Sequence, residues 1–481
     1  MPVVISRYPR NGSVVGKGPV GCADGAANKD YRYLDVGLPL EIARLKAAGF
    51  LDRAVEACNR ILAADPEPEL AACVRVERHR MLQLPHEFCV TRTEAIERVR
   101  REWPEFSEKQ FNELIAHRRI DWRYVDGKLC VLDGFINSLR IYPKDAPGLA
   151  PDSKSDTSKR RAMLAEMHEQ GGASRIITLR ASIFVPGAMT GERVRAWLPI
   201  PKPGSLQSHI EILDATDGAI VAPEDASART IYWDSTATRS FSVTYRYRID
   251  APYADTASGA FASARPVVGE PDPVPADTAE DRPHIAFTPY LRSLAHGITA
   301  GASSQLDAAR AIYMYVTEHV DYRYQPAYAQ LDSIADSCAH SLRGDCGVMA
   351  LLFITLCRIA GIPARWESGL YVAPDHVGPH DWARFYIDGA GWLWADCSFG
   401  SSARREGDDM RRAHHFGNVD PWRMVANDTF QAELSPVCDG IRHDPYDNQT
   451  GEASVNGRGC RDNEMARTIE LVEMQAAQYR A

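Results

Sequence analysis

Residues 343–363 read RGDCGVMALLFITLCRIAGIP, a cysteine directly after Gly-Asp and directly before a long apolar run. Val348, Met349, Leu351, Leu352, Phe353, Leu356 and Ile359 nearly surround a helix drawn onward from Cys346, the pattern of a central, buried helix. Gly361 and Pro363 end it, so Cys346 falls in its first turn with Asp345 as N-cap. A helix start offers unpaired N–H groups and the positive end of the macrodipole. Both favour a thiolate nucleophile, and the same N–H groups can hold an oxyanion formed in acyl transfer. Asp345 works against the thiolate if its carboxylate faces the sulfur, which makes a cationic partner more necessary.

That partner must be a histidine able to take or share the thiol proton. HDWARFYI places His380 at the start of a strand, after a loop broken by Pro374, Gly378 and Pro379. The turn DGAG then leads into WLWAD, ending in Asp396, a carboxylate suited to orient an imidazole. A tight turn centred on Gly389-Ala390 would set Asp396 opposite Ala383, three residues short of His380. A bulge or an irregular strand start must then make up the offset. Tyr324, Trp366 and Tyr371 are candidates to line a cleft around the thiol, and Asp345 is either a cap or a reader of a cationic or hydroxyl-rich substrate.

The elements that must hold these residues fall into blocks. Residues 1–29 are aperiodic and read as an extended arm. Residues 30–150 read as a helical domain, with a helical pair broken at Gly49, a capping-box start at Thr91 and Glu94, and another helix from Ser107. A hairpin turns at Asp126-Gly127, and residues 143–160 have the composition of a linker. From about Ile176 the hydrophobic period changes to two. IITLRASIFVP, VRAWLPIP, HIEILDA, RTIYWD and SFSVTYRYRI predict an antiparallel β-sandwich over 170–252. Residues 280–435 carry the thiol helix and three strands. Residues 436–481 read as a tail with a short helix near 463–478. The fold class expected is multi-domain α+β.

GDCGVMALLFITLCRIAGIPAR followed by HDWARFYIDGAGWLWAD resembles the core of the transglutaminase-like superfamily. The pattern is a helix-borne Cys, R-x-x-G-I-P-A-R, a His-x-Trp strand and a Gly-Trp…Asp strand, and it covers roughly residues 305–400. The resemblance implies a papain-like α+β catalytic core and covalent thiol chemistry, with nucleophile, base and orienting acid on Cys346, His380 and Asp396. The sixteen-residue interval from His380 to Asp396 fits the family's usual spacing. One departure is the acidic Asp345 where the family often has a small or aromatic residue. Members include cross-linkers, peptidases, amidases, peptide N-glycanases and inactive binding domains, so the resemblance leaves the reaction open.

Composition narrows the rest. The chain has 481 residues, more than one core usually holds, and a net charge of −9 with no basic stripe, which argues against nucleic acid or an anionic membrane surface as partner. MPVVISRYPRNGSVVGKG lacks the apolar centre of a secretory signal. Eleven scattered cysteines without a Cys-x-x-Cys pair suggest a reducing, cytoplasmic compartment. His376 and His380 are separated by Gly378 and Pro379, a poor metal pair, so neither metal nor cofactor is expected. The expected function is cysteine-dependent hydrolysis of an amide or peptide-like bond in a small-molecule, peptide or glycoconjugate substrate. Glycan-directed cleavage and acyl transfer to an amine are enzymatic alternatives, and a binding protein with a structural triad is the non-enzymatic one.

Overall fold

The computed structural model describes residues 3–5, 33–34, 36–151, 157–204, 206–257, 271–438 and 440–479. Of the arm expected over 1–29, only strand β1 (Val3–Ile5) lies within them. The helical region follows its caps. α1 (Leu40–Ala47) and α2 (Leu51–Ala63) meet at Gly49, whose φ of 75° and contact with the Tyr124 backbone leave no room for a Cβ. α3 (Pro68–Glu87) starts on a proline. After β2 (Val90–Thr91), the Thr91 hydroxyl accepts from Glu94 N to open α4 (Arg92–Arg100), and a Ser107–Gln110 capping box opens α5 (Glu108–Ala116). The hairpin β3 (Trp122–Val125) and β4 (Lys128–Val131) turns at Asp126-Gly127 and leads to α6 (Phe135–Arg140).

The linker expected over 143–160 is corrected at both ends. Ala146 and Leu149 are buried in the core of the helical region, and α7 (Thr157–Gln170) begins inside the span. Polar composition measures average hydration, and two apolar side chains suffice to tie such a stretch down.

Next come β5 (Gly172–Phe184), β6 (Val194–Pro199), β7 (Gln207–Ala215), β8 (Ile220–Val221), β9 (Thr230–Ser235) and β10 (Ser240–Pro252). α8 (Pro289–Thr299), α9 (Gln305–His319), β11 (Asp321–Tyr322), α10 (Ile334–Ser341) and β12 (Arg343–Gly344) lead to the thiol helix α11 (Cys346–Ile359). Beyond it lie β13 (Ala364–Ala373), β14 (His376–Ile387), β15 (Gly391–Ala395), α12 (Cys397–Glu406), α13 (Asp409–His414), β16 (Phe416–Gly417) and β17 (Arg423–Asn427). The chain closes with β18 (Glu452–Val455), β19 (Arg458–Gly459) and β20 (Ala466–Ala477).

The fold is mixed α+β, with three five-stranded sheets among the described residues. Two form the sandwich, in the orders β1-β20-β5-β10-β7 and β19-β18-β6-β9-β8, and the third runs β16-β15-β14-β13-β17. The expected C-terminal tail with its short helix is therefore replaced by strands of the sandwich. ARTIELVEMQAA is made of good helix formers, but β10 covers only one edge of β5. Pairing of β20 along the other edge overrides local propensity.

The third sheet has two packed faces. Ala383 and Phe385 of β14 join Leu352 and Phe353 of α11 in one hydrophobic core. On the other face Trp382 and Trp394 share a core with Leu179 and Tyr245 of the sandwich. β17 is stitched to the sandwich by Gln207, which donates to Val425 O at 2.9 Å and accepts from Val425 N at 2.7 Å. Among the described residues no helix is long and apolar enough to cross a membrane.

Because β20 sits between β1 and β5, truncation after Met465 is expected to abolish folding, removing a strand interface and baring the β5 edge. Circular dichroism and size-exclusion chromatography would report this. A truncated chain that stays monomeric with its Tm lowered by only a few degrees would contradict it.

Candidate active site

The first turn of α11 is fixed by Asp345. Its backbone is extended, and its Oδ1 accepts from Val348 N at 3.2 Å and from the Tyr328 hydroxyl at 2.5 Å. The carboxylate is thus engaged as a cap. Burial raises Asp345 to about 6 against the opposing pull of those two donors. Gly347 is required by close approach, since a Cβ there would lie 2.2 Å from the Tyr328 hydroxyl and 2.8 Å from both Asp381 Oδ2 and the Trp366 ring.

Cys346 keeps part of its surface open to solvent. Its Sγ donates to Asp381 Oδ2 at 3.2 Å. Gln449 Nε2 donates to the other Asp381 oxygen at 2.5 Å and to His380 O at 3.0 Å, with Asp447 beside Asp381 and Ser368. Burial, then Asp381 and Asp345, push the thiol well above its usual range. The helix start alone favours thiolate, so in this setting the carboxylates decide the outcome and Cys346 rests protonated. Burial likewise raises Asp381, with Asp447 and Asp345 adding to it, and raises Asp447 against the opposing pull of Ser368 and Asp381.

His380 lies on the other face of β14. The strand begins at His376, so Gly378 and Pro379 belong to it and His380 is interior rather than at its start. Alternation along this unbroken strand sends His380 and Trp382 to one face and Asp381 and Ala383 to the other. The expected bulge between β14 and β15 is absent: Ala383 pairs Ala395 and Ile387 pairs Gly391 in even register. Asp396 instead leaves β15 as the N-cap of α12, accepting from Phe399 N at 2.9 Å. Its Oδ2 reaches diagonally to His380 Nε2 at 2.7 Å.

Arg423 completes this face. It is fully buried, 2.9 Å from Asp396 Oδ2 and 2.8 Å from Asp420 Oδ2, with its guanidinium over the rings of Phe399, Trp382 and Tyr371. Burial would raise Asp396, but His380 and Arg423 together hold it well below the usual carboxylate range. Burial lowers His380 despite Asp396 beside it, so the imidazole is neutral near pH 7.

The structure therefore brings His380 to Asp396 and Cys346 to Asp381. Among the described residues no hydrogen bond joins Cys346 to His380. Of the cleft candidates, Trp366 packs on Phe430 at the Gly347 turn. Tyr324 is partly exposed and meets Tyr322 edge-on at 5.7 Å between ring centres. Tyr371 lies on the His380 face, 4.9 Å from Phe399. Sequence reasoning missed Asp381, Tyr328, Arg423, Asp447 and Gln449. Strand parity exposes Asp381 as the side chain opposite His380, whereas residues 447 and 449 sit in an aperiodic stretch with no local signal.

Residues 292–397 match the transglutaminase-like superfamily, a span that holds Cys346, His380 and Asp396. Similar solved structures include one named "Putative Cysteine Protease" from Cytophaga hutchinsonii. It is 16% identical, covers 64% of this chain and 94% of that one, and has a TM-score of 0.38. Another is the periplasmic domain of TgpA from Pseudomonas aeruginosa, 14% identical over 52% of this chain and 96% of that one, with a TM-score of 0.27. No curated protein matches the chain in sequence.

Two expected outcomes follow from the caps and the buried cation. A carboxyl raised on folding stabilises below its folded pKa and loses that contribution as pH rises through about 6. Asp345→Asn, which keeps the cap, should thus gain Tm over the parent as pH rises from 4.5 to 8. Asp345→Ala, which also loses the cap, should lie about 1 kcal/mol below Asp345→Asn at every pH. An Asn variant with no pH-dependent gain would show that the carboxylate is not strained. The depressed Asp396 has the opposite sign, its stability being present above the ordinary carboxylate range and lost as pH falls through the depressed value. Arg423→Met strips it of a cation. The acid-unfolding midpoint should move to higher pH, with about 3–5 kcal/mol lost at neutrality by urea titration.

Proposed function

The segment spanning residues 292–397 belongs to the transglutaminase-like superfamily, and on that premise we propose that the protein is a cysteine-dependent hydrolase cleaving an amide or peptide-like bond. The observation that carries the reading is a partly exposed cysteine, Cys346, in the first turn of a buried helix. Cys346 attacks the carbonyl carbon, N–H groups of the helix start hold the developing oxyanion, and water later releases the acyl group. His380, neutral and held by Asp396, is the acid–base imidazole carried over from the family pattern. Since the resting thiol sits on Asp381, that role requires substrate binding to draw sulfur and imidazole together. A reducing compartment, consistent with scattered cysteines that are all free among the described residues, would keep the nucleophile a thiol.

A second reading is favoured by one observation. The side chains around Cys346 include Asp345, Asp381, Asp447, Tyr322 and Tyr328, an acidic and aromatic setting of the sort that receives sugar hydroxyls and rings. On that reading the substrate is a glycoside or a glycan-linked amide.

Panels of peptide p-nitroanilides, simple amides and p-nitrophenyl glycosides, run against the parent and Cys346→Ala, test both. The variant should lose turnover by on the order of 1000-fold or more. Full turnover by the variant would sink the catalytic reading and leave a binding protein. Turnover of glycosides alone would replace the first reading by the second.

A further inference from the structure

The turn at residues 328–332 is held from two distant parts of the chain. Arg80 of α3 is buried and lays its guanidinium on the turn. Its Nε donates to Ala329 O at 2.6 Å, and its Nη2 donates to Gln330 O at 3.0 Å and to Asp332 Oδ1 at 2.6 Å. Its Nη1 pairs with Glu77, three residues earlier on the same helix, and Lys46 Nζ donates to the other Glu77 oxygen at 2.7 Å. In return Gln330 Nε2 donates to Arg80 O at 3.2 Å. From the C-terminal side, Asp444 accepts from Tyr328 N and Ala329 N, each at 3.1 Å. A cation on its carbonyls and a carboxylate on its amides leave the turn little freedom. Val76 of α3 is buried in the same core as Tyr328 and as Met349 of the thiol helix, so the contact is packed as well as polar.

The first residue of the turn reaches the thiol helix. The Tyr328 hydroxyl donates to Asp345 Oδ1 at 2.5 Å and occupies the space a Cβ on Gly347 would need, so its position bounds the first turn of α11. The N–H groups of that first turn are the ones suited to receive an oxyanion. We propose that Arg80 is a positioning residue for the candidate active site, holding the start of the thiol helix through the turn at 328–332 and the Tyr328 hydroxyl. The inference rests on Cys346 being the nucleophile. It deepens that reading by making the helical region, which lies outside the matched span 292–397, a working part of the site. Arg80 touches no reacting atom and neither gives nor takes a proton. Its guanidinium fork meets two carbonyls and a carboxylate of the turn at once, which the compact ammonium of a lysine cannot do in the same geometry.

Two reagents for Cys346 separate this role from a purely structural one. p-Nitrophenyl acetate acetylates the sulfur through an oxyanion: the S–C bond forms, p-nitrophenolate leaves, and the thiol proton passes by way of His380 to the buffer. Iodoacetamide alkylates the sulfur by displacing iodide, with no oxyanion. Both adducts on the full chain are followed by peptide mass spectrometry. Arg80→Lys keeps the buried charge and Tyr328→Phe keeps the ring. Each should lower the acetylation rate relative to the alkylation rate by about 10-fold or more. Because both residues act through one turn, the double variant should fall no further than the worse single variant. A purely structural role changes Tm and both rates together and leaves their ratio unchanged. The parent's ratio in an Arg80→Lys protein with the parent's Tm overturns the proposal, and so do losses that multiply in the double variant. Should Arg80→Lys not fold, the parent's ratio in Tyr328→Phe overturns it alone. Failure of Cys346 as nucleophile is read separately, as turnover retained by Cys346→Ala.

Discussion

A guanidinium buried between two carboxylates is the interaction on which the rest of the structure turns. Arg423 sits with no solvent exposure against Asp396 and Asp420, and a cation so placed is tolerable only because both carboxylates stay ionised beside it. That requirement fixes Asp396, which in turn fixes His380 and caps α12. Arg423 is itself held from behind, where its carbonyl accepts from the Tyr247 hydroxyl of the sandwich at 2.9 Å. The sandwich is thus part of the scaffold of the imidazole as well as a neighbouring layer, and the chain of dependence runs from β10 through β17 to β14.

The two sides of β14 carry opposite electrostatics. On one, a cation, a neutral imidazole and two depressed carboxylates make a closed, buried network. On the other, a protonated thiol lies among carboxyl groups whose affinity for protons is raised. A single peptide bond, between His380 and Asp381, separates them. A strand achieves this where a helix cannot, because consecutive side chains on a pleat diverge to opposite faces.

Much of this was legible in the sequence wherever the signal is local. Asp345 reads as a cap because a short acceptor precedes an apolar run, and Thr91 and Ser107 read the same way. The spacing of His380 and Asp396 marks them as partners, although the turn arithmetic invoked a bulge that the structure replaces with a diagonal reach. What was not legible depends on partners distant in sequence. Ala466–Ala477 has the composition of a helix, and only the open edge of β5, nearly three hundred residues earlier, makes it a strand. Asp447 and Gln449 lie in a stretch without periodicity and acquire meaning only beside Asp381. Asp381 itself looked like the variable position of a His-x-Trp motif until strand parity turned it toward the sulfur.

The order of these residues along the chain has a consequence for biosynthesis. Cys346, the thiol helix and the His380 strand all leave the ribosome before Asp447 and Gln449, and β18 and β20 come later still. At roughly 5–20 residues per second, the interval between the sulfur and Asp447 and Gln449 lasts seconds. During that time the nascent chain carries Cys346 and Asp381 without the groups that later pack against Asp381 and without the strands that close the sandwich behind it. The surroundings of the thiol are therefore completed only once the segment that closes the sandwich has been laid in place.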